Sequence, residues 1–100
     1  MVRYQLWAER IEDGDGRWIP HVFDDLDLAR AFAGKNAWGL LKGKYIIAVY
    51  TLGKKGHRVG EVFRANRKLI YRDLTSKNDQ TYALGTNGKL KYPVFPVPFF

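Results

Sequence analysis

The first eleven residues alternate between apolar and polar side chains, the pattern typical of a β-strand with one buried face. Tyr4, Leu6 and Ala8 fall on one side of this strand. Trp7 and Ile11 fall on the other side, together with the polar residues. Both sides of the strand therefore carry large apolar groups, and we expect both to be covered.

A return strand and a helix are predicted next. The Asp-Gly-Asp-Gly sequence at 13–16 favours a turn, and Arg17 to Phe23 reads as the returning strand. Pro20 cannot donate a backbone hydrogen bond, which places that strand at an edge of the sheet or beside a bulge. Asp24 stands where the N-cap of a helix belongs, and we expect that helix to end or kink near Gly34.

The remainder of the chain reads as strands and turns. The segment from Tyr45 to Leu52 is apolar on both faces and is expected to be a central strand. Two hairpins are predicted after it, one around Asn66-Arg67 and one around Asn87-Gly88. In the first hairpin, Phe63 should face Ile70, Glu61 should face Arg72 and Val59 should face Leu74.

This order of elements predicts an α+β fold: a mainly antiparallel sheet of six or seven strands, one helix packed on one face, and an extended tail rich in proline and phenylalanine. We assign residues 1–92 to a single domain and residues 93–100 to the tail. The helix should cover the Leu6 side of the sheet. The Trp7 side then needs the tail, a second copy of the chain or a partner protein to cover it.

Composition limits the class of protein. The chain has 100 residues, 46% of them hydrophobic, and no cysteine, which excludes disulfides, thiol nucleophiles and thiolate metal sites. Neither a signal peptide nor a transmembrane segment is evident in the sequence, so we expect a cytoplasmic protein without a membrane partner.

The polar residues do not form a recognisable catalytic set. Asp24, Asp25 and Asp27 cluster at the expected start of the helix, where carboxylates cap free backbone N–H groups. His21 and His57 lie on different predicted elements, and the single serine, Ser76, lies in a polar loop. We therefore expect no enzyme activity, no cofactor and no metal site.

Charge gives the main functional signal. Residues 1–50 hold seven basic and seven acidic residues, whereas residues 51–100 hold ten basic and three acidic ones and so carry the whole net charge of +7. A surface of one sign attracts polyanions. We predict a nucleic-acid or polyanion site in the Lys54–Arg72 region, with two basic clusters a strand length apart. Its expected members are Lys54, Lys55, His57, Arg58, Arg64, Arg67 and Lys68, with Tyr71 and Tyr82 as candidates for stacking on bases.

The tail is a second candidate surface. Its aromatic residues alternate with prolines, which favour an extended conformation. It can pack onto the open sheet face, act as an intermolecular strap or docking peptide, or stay disordered. The predicted protein-interaction residues are Trp7, Ile11, Phe95, Phe99 and Phe100.

Two functional hypotheses follow. The first is a small non-enzymatic module that binds nucleic acid or another polyanion through the Lys54–Arg72 region. The alternative is a protein-interaction module, such as a small phage-type inhibitor or accessory subunit, that docks its basic face and tail on an acidic or nucleic-acid-binding protein. A homo-oligomer formed through the open face or the tail is a further expectation.

Overall fold

A computed structural model describes residues 2–39, 45–53, 56–65 and 67–95. These residues form one helix and seven strands, which confirms the predicted α+β fold. In chain order the elements are β1 (Tyr4–Arg10), β2 (Gly16–Phe23), α1 (Leu26–Gly39), β3 (Tyr45–Thr51), β4 (Arg58–Ala65), β5 (Lys68–Asp73), β6 (Thr81–Leu84) and β7 (Leu90–Pro93).

The strands form one antiparallel sheet in the order β2-β1-β3-β4-β5-β6-β7. The apolar strand β3 is central, and β2 is an edge strand, as Pro20 predicts. The register between β1 and β2 shifts between Gln5 and Trp7, opposite the stretch that contains Pro20. Strands that are neighbours in the sheet are also consecutive strands of the chain, except β1 and β3: β2 and α1 lie between them in sequence, and α1 carries the chain from the edge strand β2 to β3.

The helix differs from the prediction at both ends. Asp25, and not Asp24, is the cap: its carboxylate accepts a hydrogen bond from the Asp27 N–H at 2.7 Å, and its carbonyl accepts one from Ala29 at 3.1 Å. The helix also continues through Gly34 to Gly39. Gly34 leaves room for Leu69 of β5. A Cβ atom at position 34 would lie 3.2 Å from a Leu69 methyl group, which is closer than an ordinary van der Waals contact.

The helix covers one face of the sheet and completes the larger core. Leu6 and Ala8 of β1 point into this core, as predicted from the alternation in the sequence. The core consists of Leu6, Ala8, Ala29, Ala33, Ile47, Val49, Val62, Leu69, Tyr71 and Leu84. We call this side of the sheet the helix face.

A buried arginine ties the helix to the last hairpin. Arg30 is 8% exposed, pairs with Asp27, and donates from Nε to the Gly88 carbonyl at 2.7 Å. Its guanidinium lies 5.0 Å from the centre of the Tyr71 ring. Gly88 has a φ of 84°, and a Cβ there would collide with the Asp27 backbone, so this turn requires glycine.

The two hairpins agree with the prediction to different degrees. In β4–β5, Phe63 lies opposite Ile70 and Glu61 opposite Arg72, which confirms the predicted register. In β6–β7, the turn is wider than two residues, because Gly85 donates to the Lys89 carbonyl and Gly88 donates to the Gly85 carbonyl. Gly88 supplies the positive φ in that turn.

The opposite side of the sheet, which we call the open face, has a smaller core under the start of the tail. Ile46, Phe63, Ala65 and Ile70 are buried there against Val94. The Val94 N–H donates to the Thr81 carbonyl at 3.0 Å, and the Thr81 hydroxyl donates to the Val94 carbonyl at 3.1 Å. Phe99 and Phe100 lie outside the described residues.

Within the described ranges, no helix is long and apolar enough to cross a membrane.

Candidate functional site

The β1–β3 half of the open face carries a cluster of aromatic side chains. The Trp7 and Trp18 rings meet edge to face with centroids 5.0 Å apart, and the Trp18 and Tyr50 rings do so at 5.2 Å. Trp18 is 48% exposed although it touches both neighbours. We call Trp7, Trp18 and Tyr50 the aromatic patch.

A cleft of about 280 Å³ lies beside the patch. It is lined by Gln5, Trp18, Tyr50, Thr51, Leu52, Gly53 and Gly56. The last two belong to the turn between β3 and β4. Trp18 and Tyr50 of the aromatic patch and these two glycines therefore border the same concavity.

Four charged side chains separate the aromatic patch from the smaller core. Arg58 reaches both carboxylate oxygens of Glu9 at 3.4 Å and also pairs with Glu61. Glu61 in turn accepts from Arg72 at 3.1 Å. We call Glu9, Arg58, Glu61 and Arg72 the ion-pair strip. Its two positive and two negative charges balance.

The strip holds Arg58 firmly in its charged form. Burial lowers the pKa of Arg58, but the hydrogen bonds to Glu9 and the charge of Glu61 outweigh burial and raise the pKa above its usual value. Its guanidinium also lies 6.0 Å from the centre of the Tyr50 ring. Arg58 therefore acts mainly as a cross-link between strands.

The predicted basic cluster is divided by these contacts. Arg58 is committed to two carboxylates, one of them from the neutral first half of the chain. Arg64 is half-buried and lies opposite Leu69, on the helix face of the sheet, where it also has a partner. Arg58 and Arg64, two predicted members of the polyanion site, therefore both interact with other residues of the protein.

Tyr71 is not available for stacking on bases. Its side chain is 2% exposed in the helix-face core. It lies directly opposite Val62 of β4 and Tyr82 of β6, so it faces the same side as the other core residues of β5. The proposed stacking role for Tyr71 is wrong, because its ring is a packing element under Arg30.

The remaining predicted site residues that the structure describes lie at opposite ends of β4. His57 is exposed at the β3–β4 turn, whereas Arg67 and Lys68 are exposed at the β4–β5 turn. Eight residues of β4 separate the two turns, a distance of roughly 25 Å. Lys54 and Lys55 are outside the described residues.

One further cation lies near the cleft. Arg3 is exposed, and its carbonyl accepts a hydrogen bond from the Leu52 N–H at 2.9 Å. This bond places the start of β1 against the β3–β4 turn. Leu52 lines the cleft, so this bond brings the Arg3 backbone next to one of the lining residues. His57 follows another lining residue, Gly56, in the chain.

The predicted protein-interaction residues occupy different places. Trp7 belongs to the aromatic patch, and Ile11 lies in the β1–β2 turn with 36% of its surface exposed. Phe95 is 72% exposed and follows Val94, which is bonded to β6 near the opposite edge of the sheet. The described part of the chain does not bring these three residues together as one surface.

Sequence reasoning missed Trp18, Tyr50, Gln5 and Arg3. The signal that could have identified Trp18 is the pairing of the first hairpin, because Trp7 and Trp18 are cross-strand neighbours. Tyr50 could not be placed beside them without knowing that β3 pairs with β1. That pairing is a long-range contact across α1.

Two other features do not add chemistry to this site. Among the described residues, no three metal-ligating side chains of His, Cys, Asp or Glu converge. A larger cavity of about 590 Å³ lies on the helix face, lined mostly by apolar residues such as Leu28, Phe32 and Leu69. Lys35 is the charged residue on its wall among those that the structure describes.

Comparison with known proteins adds no relative: no family model, no curated protein and no solved structure significantly matches this chain.

Proposed function

We propose that this chain is a non-enzymatic domain that binds nucleic acid on its open face, at the end where the β3–β4 turn borders the aromatic patch. The observation that carries the proposal is the cleft itself, whose wall runs from Trp18 and Tyr50 to Gly53 and Gly56. Lys54 and Lys55 stand between these two glycines in the sequence. The two glycines that flank these lysines in the sequence thus lie on the wall of an aromatic concavity.

This pairing of features suits a nucleic acid better than a simple anion. Phosphates supply the negative charge that lysine side chains attract, and bases supply flat apolar surfaces for aromatic side chains. The net charge of +7 favours association with any polyanion. The aromatic patch adds a reason for that polyanion to carry bases.

The proposed site is narrower than the Lys54–Arg72 region. It uses the β3–β4 turn, with His57 and Arg3 at its border, and leaves Arg58 in the ion-pair strip. Arg67 and Lys68 lie a strand length away and serve as a second contact only for a ligand long enough to reach them.

The test is binding of fluorescently labelled oligonucleotides, measured by anisotropy at several salt concentrations. We expect Lys54→Gln/Lys55→Gln to weaken binding and to reduce the slope of log affinity against log salt by about 1–2, since each lost phosphate contact removes about 0.7–0.9. The matched control is Lys35→Gln/Lys89→Gln, which removes the same charge from exposed lysines on α1 and in the β6–β7 turn.

Two results would contradict this proposal. One is the absence of binding to any oligonucleotide at about 50 mM salt, where electrostatic contacts are strong. The other is an equal loss of affinity in the control variant, which would assign the effect to net charge alone. Thermal melting followed by circular dichroism verifies that both variants fold.

A protein partner is the second candidate, and the apolar border of the cleft supports it. Three exposed apolar side chains lie near Gln5 on the open face: Trp18 is 48% exposed, Val22 50% and Leu52 38%. Exposed apolar groups that lie together mark interaction surfaces. Self-association that Trp18→Ser abolishes, together with no oligonucleotide binding, would favour this function over the first.

A further inference from the structure

We infer that the site takes single-stranded nucleic acid and holds one unpaired base against Trp18; this inference rests on the proposed function. Three observations support it: the fixed orientation of the Trp18 ring, the shape of the cleft, and an amide group in the cleft that pairs with none of the residues that the structure describes.

The Trp18 ring is held in place before any ligand binds. Trp7 and Tyr50 contact it at interplanar angles of 69° and 71°, so two nearly perpendicular neighbours define its orientation. Almost half of its surface nevertheless remains open to solvent. A preordered aromatic surface loses little conformational entropy when a base stacks on it.

The cleft favours an unpaired base over a duplex. In a duplex the bases are stacked on each other, and the surface presented to a protein is the charged backbone and the grooves. A concavity of about 280 Å³ with aromatic walls can accept a base only when that base is free to leave the stack. The aromatic patch would therefore contribute nothing to the binding of intact duplex.

Gln5 gives the cleft a group that suits the edge of a base. Its side chain is half-buried in the cleft wall, and within the described residues its amide has no hydrogen-bond partner. An amide offers donors and an acceptor side by side, the arrangement that the edge of any base can match. Gln5 thus adds a preference for bases without selecting one base.

The experiment compares three ligands of similar backbone: a short oligodeoxythymidine, the same strand built from abasic nucleotides, and a duplex of the same length. We expect wild-type protein to bind the oligodeoxythymidine about tenfold or more tightly than the other two, because stacking supplies the difference. Tryptophan fluorescence should be quenched by the oligodeoxythymidine and not by the abasic strand.

Variants assign this preference to the cleft. Trp18→Leu should lose most of the preference for bases while keeping the salt dependence, because the cations are unchanged. Gln5→Leu should lose about two- to tenfold in affinity for the oligodeoxythymidine and nothing for the abasic strand. Tyr92→Leu is the matched control, since Tyr92 is 52% exposed on β7, at the opposite edge of the sheet.

The outcomes separate the inference from the proposed function. Equal affinity for all three ligands, or unchanged preference in Trp18→Leu, overturns the inference while nucleic-acid binding stands. A loss in Tyr92→Leu as large as that in Trp18→Leu also overturns it, because the base would not be located at the cleft. No binding to any of the three overturns the proposed function, and the inference with it.

Discussion

The two faces of the sheet use the same kinds of residue for different purposes. On the helix face, Arg30 and Tyr71 are almost fully buried and hold the helix against the last hairpin. On the open face, the Arg58 guanidinium lies over the Tyr50 ring, and nearly half of the neighbouring Trp18 is exposed. The helix face is organised for stability, whereas the open face keeps aromatic surface available.

Charge follows the same division. Two of the basic residues in the second half of the sequence, Arg58 and Arg72, are paired with Glu9 and Glu61 and so add little to the positive charge of the surface. What distinguishes the open face is aromatic surface next to a basic turn. A count of basic residues along the chain cannot show this difference.

The largest expected difference between the helix face and the open face is in their contribution to the free energy of unfolding. Leu6 is fully buried on the helix face, so Leu6→Ala should lower the free energy of unfolding by about 2–5 kcal/mol through the cavity it leaves. Trp18→Leu on the open face should lower it by about 1 kcal/mol, the value of its aromatic contacts. Urea denaturation measures both. Similar losses would show that the open face is equally important for folding.

The pH dependence of stability tests whether the Tyr71 hydroxyl is buried in the folded protein. Burial raises the pKa of Tyr71 from 10.0 to about 12, although the nearby charge of Arg30 lowers it. Between these two values the folded protein keeps a proton that the unfolded chain loses. The free energy of unfolding should therefore fall as pH rises through this window, by about 1.4 kcal/mol per pH unit, and this contribution is fully present below pH 10.

The control for this titration is Tyr71→Phe, which keeps the ring and removes the titrating hydroxyl. The difference between wild type and variant isolates Tyr71 from the lysines that titrate in the same range. A difference that does not change with pH would mean that the Tyr71 hydroxyl reaches solvent in the folded protein.

The smallest predicted effect concerns the ion-pair strip. Glu9→Gln removes one carboxylate from Arg58 and should change stability by no more than about 1 kcal/mol, because Glu61 remains as a partner. It should raise the affinity for nucleic acid about two- to fivefold at low salt, since Arg58 becomes part of the positive field near the cleft.

Glu12→Gln provides the matched control for this charge change. Glu12 is exposed in the β1–β2 turn, at the far end of β1 from the cleft. If both variants raise affinity equally in anisotropy titrations, the gain reflects net charge, and Glu9 has no special effect on the cleft.

Local patterns predicted most of the fold. The alternation around Leu6 and Trp7 identified both faces of β1, and the complementary pairs of β4 and β5 set the correct register. The start of the helix was misplaced by one residue, because Asp24 and Asp25 are equally good caps in sequence. Gly34 did not end the helix: its missing side chain leaves room for Leu69 of β5, and the low helix propensity of one glycine is too small an effect to stop a helix that packs on the sheet.

The candidate site was harder to predict, because it depends on contacts distant in sequence. Tyr71 reads as a surface aromatic until the strand order shows that its side of β5 lies under the helix. Arg58 reads as a free cation until β1 brings Glu9 beside it. In both cases the sequence showed the alternation of side chains within the strand, but it did not show which other elements pack next to that strand.

The hydrogen bond from Arg30 to the Gly88 carbonyl joins positions 58 residues apart. During synthesis, the helix leaves the ribosome long before the turn that completes its environment exists. Until then Arg30 lacks the Gly88 acceptor, although its partner Asp27 and the β1 residues of the core precede it in the chain. The contact between the helix and the β6–β7 turn must therefore form after that turn has emerged, and it should be among the last steps of folding.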